Sequence, residues 1–466
     1  MQNYTFASRT FPLDLSWDVI VLGGGPTGCT AAASAAREGA RTLLVEATAS
    51  LGGSGTSALV PSWCPFSDKE KIIYRGLAEQ VLKRCKEHQP HVQADKLDWV
   101  PIDSELLKRV YDDLVAGSGA TVLFQTMLSA VEVGENGEVD AILVTNKRGL
   151  SALKARVYVD CTGDADLCAW AGAEFQKGGE NGELMPATHC FVLTNVNEES
   201  FMTTCGKGAV LMGNHPKTRI YDIIASGRYP LITDAHVCSI LIGPGTVGFN
   251  AGHLWNVDNT EPETVSRAMS QGRKLAAQFR DAFAEFYPET FGNAFLVTTG
   301  SVIGIRETRR IIGDYVLTLA DYIARRSFED EICRNSYFID VHHSLEEAKK
   351  HTVERADGLS RPSMNYGPGE SHGIPYRCLT PQGLRNVMVA GRSISCERPV
   401  QGSVRVMPVC LAMGEAAGMA AAHALQKHDS DVHAVDVVKL RSRLKEEGVF
   451  LPEVPCAKPE AILTNH

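Results

Sequence analysis

The sequence holds one dense constellation able to bind a nucleotide and several scattered groups able to act on a substrate. Gly23, Gly25 and Gly28 form the spacing G-x-G-x-x-G, directly after the apolar run Trp17 to Leu22 and ahead of the small-residue run Ala31 to Arg37. In a strand–turn–helix unit each glycine has a separate duty. One permits the tight turn, one lets a pyrophosphate approach the backbone, and one lets helix and strand pack closely. The helix N-terminus then offers unpaired N–H groups and partial positive charge to the phosphates. Glu46 closes the next apolar run, Arg41 to Glu46, where its carboxylate can accept from ribose hydroxyls.

Groups suited to substrate chemistry lie further along. Arg306 stands in a basic cluster with Arg309, Arg310 and Glu307; His253 and His372 lie in glycine-rich stretches; Arg398 precedes Pro399. Arginine stays charged and suits a carboxylate or an oxyanion. A histidine near neutral pKa can accept a proton as hydride leaves. We expect Arg306, His372 and Arg398, joined by His253, to line the substrate side of the cofactor. The rival reading is a salt-bridged helix face for the arginines and solvated loop positions for the histidines. His342-His343 reads as structural. A second G-x-G-x-x-G, Gly243 to Gly248, runs into Phe249-Asn-Ala-Gly-His253, which does not continue as a helix. It reads as a strand and turn, not a second nucleotide site.

Helices are expected over Gly76 to Lys86 and Asp103 to Ala116, with a strand over Thr121 to Phe124. Leu128 to Val133 and Val139 to Thr145 flank Asn136-Gly137, a hairpin signal. The strand Arg156 to Asp160 runs into Cys161-Thr162-Gly163-Asp164. From about Gly178 to Glu370 the pattern mixes strands (Cys190 to Leu193, Val237 to Ile242, Tyr337 to Val341) with helices near Thr264 to Glu285 and Asp314 to Ala324. Ser360 to Gly373 reads as a loop. A strand, Asn386 to Ala390, then leads through Gly391 to a small-residue helix, Val409 to Leu425. A cofactor touched by both ends of a chain this long suggests an extended FAD rather than NAD. The expected fold is α/β: a discontinuous Rossmann-like FAD-binding domain (15–175 and 371–428), an inserted α+β substrate domain (176–370) and a C-terminal tail (429–466).

These motifs carry a family resemblance. Asp18 to Gly28, Leu51-Gly-Gly-Ser-Gly-Thr56, Val159 to Asp164, Gly304 to Arg310, Ile374-Pro-Tyr-Arg377, Val389 to Ser395 and Gly402 to Pro408 occur in the order and spacing of a known group. The chain resembles FAD-dependent oxidoreductases with the glutathione-reductase-type flavin fold. The resemblance implies Gly23, Gly25, Gly28, Glu46, Gly53, Asp164 and Gly391 as flavin contacts. The same stretches add Pro26, Thr27, Gly52, Thr56, Thr162, Gly163, Arg392, Gly402 and Ser403 as cofactor-binding candidates, with Ala47 beside Glu46. In similar sequences a histidine often follows the Gly-Arg-x-Ile-Ser stretch; here Arg398 stands near that position.

The loop Thr48 to Ser57 has no His, Cys or Tyr to attach a flavin, so FAD is expected to be non-covalent. Cys64 stands alone after the first glycine turn, which argues against a dithiol relay. The thirteen cysteines include no C-x-x-C pair, so no metal site is expected, and Cys29, Cys161, Cys190 and Cys410 read as buried thiols. A net charge of −9 points away from nucleic acid and anionic membrane as partners. No apolar run is long enough to span a bilayer, and a cytoplasmic protein is expected. The expected reaction is a hydride transfer between a small-molecule substrate and the flavin. A flavin-dependent elimination or isomerisation and an electron-transfer module stay open, as does a homo-oligomer.

Overall fold

The computed structural model of the chain describes residues 8–342, 365–426 and 430–453. Val19–Leu22 is apolar and buried on both faces, as a central parallel strand requires. It lies in the middle of a five-stranded parallel sheet with the order Val387–Val389, Val157–Asp160, Val19–Leu22, Thr42–Val45, Thr121–Leu123. Val159 pairs with both Val21 and Met388, so segments from opposite ends of the chain share one sheet. Helix Pro26–Arg37 starts on Gly25, with Pro26 in its first turn where a missing N–H costs nothing. Helix Met407–Ala424 is buried on every side and lies against it. A Cβ on Gly414 would stand 2.1 Å from the Thr27 carbonyl oxygen, so the two backbones touch only because Gly414 has none.

A second apolar cluster runs from Ala187 to Ile303. Its antiparallel sheet has the order Val237–Gly243, Thr246–Ala251, Phe191–Thr194, Phe295–Thr299. Helix Pro262–Phe286 covers it, and Phe191, Phe249, Phe279 and Phe283 pack ring to ring between them. Gly243 to Gly248 forms the hairpin turn of this sheet and not a helix start. Among the described residues no single helix is long and apolar enough to cross a membrane. The four cysteines expected to be buried are buried, and their thiols are pushed up by desolvation.

Several expected elements differ. Tyr337 to Val341 is not a strand. The strand is Glu331–Asn335, paired with His372–Pro375, so His372 lies in a strand and not in a loop. Beyond Asn335 the backbone bonds to side chains instead of a neighbouring strand: Ser336 N–H donates to the Tyr74 hydroxyl, and Tyr337 C=O accepts from the Ser403 hydroxyl. Only Leu319–Ile323 of the helix expected over Asp314 to Ala324 forms, started by a Thr318/Asp321 capping box. The preceding N–H groups of Asp314, Tyr315 and Leu317 donate to the carbonyls of Thr380, Arg377 and Ser395. Arg306 stands in irregular chain before strand Arg309–Ile311, not on a helix face. Arg398 opens a seven-residue helix, Arg398–Val404, which contains Gly402 and Ser403. His343 and residues 360–364 lie outside the described residues; 365–371 are irregular chain, and the strand His372–Pro375 follows.

Candidate active site

The glycine turn is built as a cradle. Gly23 has φ +91°, and a Cβ there would lie 2.5 Å from the Cys161 carbonyl; one on Gly28 would lie 1.8 Å from the Gly23 carbonyl. A Cβ on Gly25 would meet nothing within 4 Å, so open space lies ahead of the helix N-terminus. Glu46 is buried and accepts from the N–H groups of Gly24 (2.6 Å) and Thr48 (2.6 Å). It fixes the turn, and each oxygen keeps acceptor capacity for a hydroxyl. Ala47 is exposed beside it. Gly52 N–H donates to the Gly24 carbonyl, and Gly53 packs on Gly25. The Thr56 hydroxyl closes that loop on the Leu51 carbonyl. Gly391 packs on Thr27.

Asp164 is a junction. Its carboxylate accepts from Thr308 Oγ1 (2.5 Å), Asn259 Nδ2 (2.5 Å) and Arg392 Nη2 (2.6 Å). Burial alone would raise its pKa, but Arg392 and these donors hold it below the usual carboxylate range. Gly163 packs over the Arg392 guanidinium, and the Thr162 hydroxyl donates to buried Asp160. Asp166, ion-paired with Arg309 at 2.8 Å, is pushed up to about 6 by burial and by the neighbouring carboxylates Asp164 and Asp160.

The four residues expected on the substrate side do not assemble together. His372 is fully buried; its Nδ1 lies 2.5 Å from the Tyr366 hydroxyl. Burial, with Arg334 and Arg325 nearby, pushes its pKa down to about 3, so the ring is neutral. Arg398 Nε donates to both oxygens of buried Glu307 (3.0 and 3.2 Å), which also accepts from Arg310 and from the Met185 N–H. Arg398 and Arg310 thus share one carboxylate, and Arg306 is not its partner.

Arg306 is buried and, among the described residues, donates only to neutral oxygens: Pro186 C=O (2.7 Å), Thr188 Oγ1 (2.8 Å) and Asn250 Oδ1 (3.3 Å). Among the described residues no carboxylate lies within ion-pair distance of it. Burial and the neighbouring Arg405 push its pKa down to about 10.

His253 belongs to this neighbourhood. His236 and His253 flank the open end of the Val237–Gly243/Thr246–Ala251 hairpin, whose register pairs Val237 with Ala251, and their rings stack at 4.4 Å. His342 stands edge-on to both, and its Nδ1 lies 2.9 Å from His253 Nε2. His253 Nδ1 faces Asp234 Oδ1 (3.2 Å), and His342 Nε2 faces Asp340 Oδ1 (3.3 Å). Both nitrogens of His253 therefore face protein groups. Arg405 holds the Asp340 carbonyl (2.8 Å), and Gly402 packs against the Asp340 backbone. Burial, then Arg306, pushes His342 down to about 3 and His236 well below its ordinary value. Ser403 turns its hydroxyl to Tyr337 C=O and accepts from Asn335 Nδ2. A mostly apolar cavity of about 550 Å³ is walled by Pro61, Trp99, Phe201, Met212, Cys238 and Ile240, the last two on the strand that follows His236.

The sequence matches the family model of the FAD dependent oxidoreductases over residues 18–444. The chain belongs to that family. Two curated relatives are similar over about a third of it. Digeranylgeranylglycerophospholipid reductase of Thermoplasma volcanium is 25% identical over 167 residues, covering 34% of this chain and 42% of the relative. The tRNA uridine 5-carboxymethylaminomethyl modification enzyme MnmG of Zymomonas mobilis is 28% identical over 185 residues, covering 36% and 28%. The matched part spans less than half the length of these relatives. Among solved structures, a geranylgeranyl bacteriochlorophyll reductase-like protein from Thermoplasma acidophilum superposes with a TM-score of 0.43 at 14% identity, over 93% of this chain and 83% of that one. BexE gives 0.46 at 12% identity, over 93% and 68%.

The cradle of this FAD-dependent oxidoreductase fits its cofactor. Open space fronts the helix N-terminus at Gly25, where a pyrophosphate needs it, and Glu46 is fixed at the strand end, where a ribose needs it. Near the junction, Arg392 Nε and Gln401 Oε1 are buried without a hydrogen-bond partner among the described residues. Asp234, His236, Asp340 and Arg405, which no sequence motif singles out, gather here with His342, which reads as structural in the sequence. A lone histidine or aspartate carries no periodic signal. Only the hairpin register and the return of the chain at residues 340–342 bring them together.

Proposed function

We propose that this FAD-dependent oxidoreductase exchanges a hydride between its flavin and a small molecule with an anionic group on an apolar body. In this reading residues 15–175 and 371–428 form a glutathione-reductase-type flavin domain, and residues 176–370 an inserted substrate domain. The observation that carries the proposal is Arg306, a buried guanidinium with only neutral acceptors, next to a second guanidinium, Arg405. A buried charge is costly unless an opposite charge meets it, and a carboxylate or oxyanion from the substrate supplies that charge. The apolar cavity, walled in part by Cys238 two residues past His236, would give the rest of the substrate its place. Bound FAD supplies a two-electron acceptor or donor. The chain's own part is to bind the anion at Arg306, to orient the apolar body and to exclude water.

The test is anaerobic spectroscopy of the holoenzyme with apolar carboxylic acids and their methyl esters. Some acids should bleach the oxidised flavin, or restore the colour of the reduced flavin. Their esters should act roughly tenfold to a hundredfold more weakly, the worth of a lost charged hydrogen bond of about 1.5–3 kcal/mol. Arg306→Met should abolish the preference for the acid. Equal action of acid and ester would refute the reading.

A further inference from the structure

We propose that His236, His253 and His342 hold a divalent late first-row transition metal, with zinc as the reference ion. One ring nitrogen from each of the three residues lies within 4.8 Å of the others. Three imidazoles form a donor set that suits zinc, copper, iron or nickel and leaves a fourth position for water or a ligand.

The surroundings are those of a metal site and not only of stacked rings. A ligating histidine almost always gives its second nitrogen to a carboxylate or carbonyl, which fixes its tautomer and orientation. Two of the three rings have a carboxylate within ion-pair distance on that side: His253 Nδ1 lies 3.2 Å from Asp234 Oδ1, in a geometry too bent for a hydrogen bond, and His342 Nε2 lies 3.3 Å from Asp340 Oδ1. With those nitrogens turned outward, the remaining His253 Nε2 and His342 Nδ1 face each other at 2.9 Å. Two nitrogens on one tetrahedral zinc, each at about 2.0–2.1 Å, lie roughly 3.4 Å apart. The pair therefore needs to open by only about half an ångström. His236 Nδ1 is buried and has no hydrogen-bond partner among the described residues. A buried imidazole nitrogen without a partner is costly in a protein without the ion.

Charge also allows it. Arg306 and Arg405 oppose a cation here, but Asp234 and Asp340 stand on the far side of the ligand rings and offset them. The hairpin and the 340–342 segment place the histidines from three parts of the chain, and the third arrives with Asp340 against Gly402. The metal would stand beside the helix Arg398–Val404, independently of which substrate the enzyme uses.

The experiment is metal analysis of the untagged FAD-loaded protein after equilibration with zinc chloride and desalting, paired with calorimetric titration of the metal-stripped holoenzyme by zinc. About one equivalent per chain should remain, and the heat should saturate at the same ratio. Cobalt(II) in its place should give the visible bands of a tetrahedral ion. His236→Ala and His342→Ala should lose the metal while keeping the flavin spectrum. Asp234→Asn should weaken zinc binding roughly tenfold to a hundredfold. The proposal is overturned if the wild-type protein keeps less than about a tenth of an equivalent and shows no saturable heat. It is also overturned if both histidine variants bind zinc as the wild type does.

Discussion

Replacing Asp164 by Asn is the sharpest test of how the cofactor end of the molecule is held together. The carboxylate joins three distant segments through Asn259, Thr308 and Arg392, at 2.5, 2.5 and 2.6 Å. Asparagine has the same shape and keeps one acceptor oxygen. The Asn259 amide can turn to present its own oxygen, so hydrogen bonding alone is nearly conserved. What is lost is the charge facing Arg392. Removing one partner of a buried ion pair costs about 3–5 kcal/mol. The Arg392 side chain is 19% exposed, so water recovers part of that, and we expect Asp164→Asn to cost about 2–3 kcal/mol. The cost belongs to the stranded guanidinium, so Arg392→Gln in the same chain should recover part of it, with a coupling of about 1–2 kcal/mol. Urea unfolding of the FAD-free protein, followed by tryptophan fluorescence, gives all four corners of the cycle. The reasoning fails if Asp164→Asn lies within about 0.5 kcal/mol of wild type, or if the double variant is simply additive.

Glu46→Ala removes the acceptor that fixes Gly24 and that we expect to take the ribose; FAD affinity, read by flavin fluorescence, should fall roughly tenfold to a hundredfold, and an unchanged affinity would mean the ribose lies elsewhere. Gly414→Val places a side chain 2.1 Å from the Thr27 carbonyl; the two helices must separate, costing about 3 kcal/mol or more, and thermal melts should show it. Glu415 is buried against the Leu77 N–H, and burial pushes its pKa up to about 8. Its folded pKa is raised, so stability is full below about pH 4.5 and declines as pH rises towards 8, by roughly 5 kcal/mol at most. Glu415→Gln keeps the acceptor and should flatten that decline, a comparison that urea midpoints at pH 5 and pH 9 settle. FAD attachment should be non-covalent: acid precipitation should leave the yellow colour in the supernatant, and a yellow pellet would contradict it.

The sheet and the cradle were legible because their physics is local. Val19–Leu22 must be central, since all four residues are apolar, and Gly23 must be glycine, since its φ is +91°. The return of Val387–Val389 to the same sheet was legible for a similar reason: an apolar run ending at Gly391 looks like the first one ending at Gly23. The helix expected over Asp314 to Ala324 was not, because its first residues bond to Thr380, Arg377 and Ser395, partners that no local pattern announces.

The substrate side shows the same limit more severely. Arg306 and Arg310 look alike in sequence, each a guanidinium close to Glu307, while Arg398 stands 91 residues further on. The structure gives Glu307 to Arg398 and Arg310 and leaves Arg306 with neutral oxygens. That allotment decides which arginine can take an anion. A guanidinium already facing a buried carboxylate would have to give up that partner to bind a substrate, at the cost of stranding the carboxylate. Arg306 gives up nothing comparable. In the same way His372 and His253 both sit near glycines, yet His372 is sealed against Tyr366 while His253 meets two other imidazoles. Residue type states what chemistry a group can do, and the partners already holding its polar atoms state whether it is free to do it.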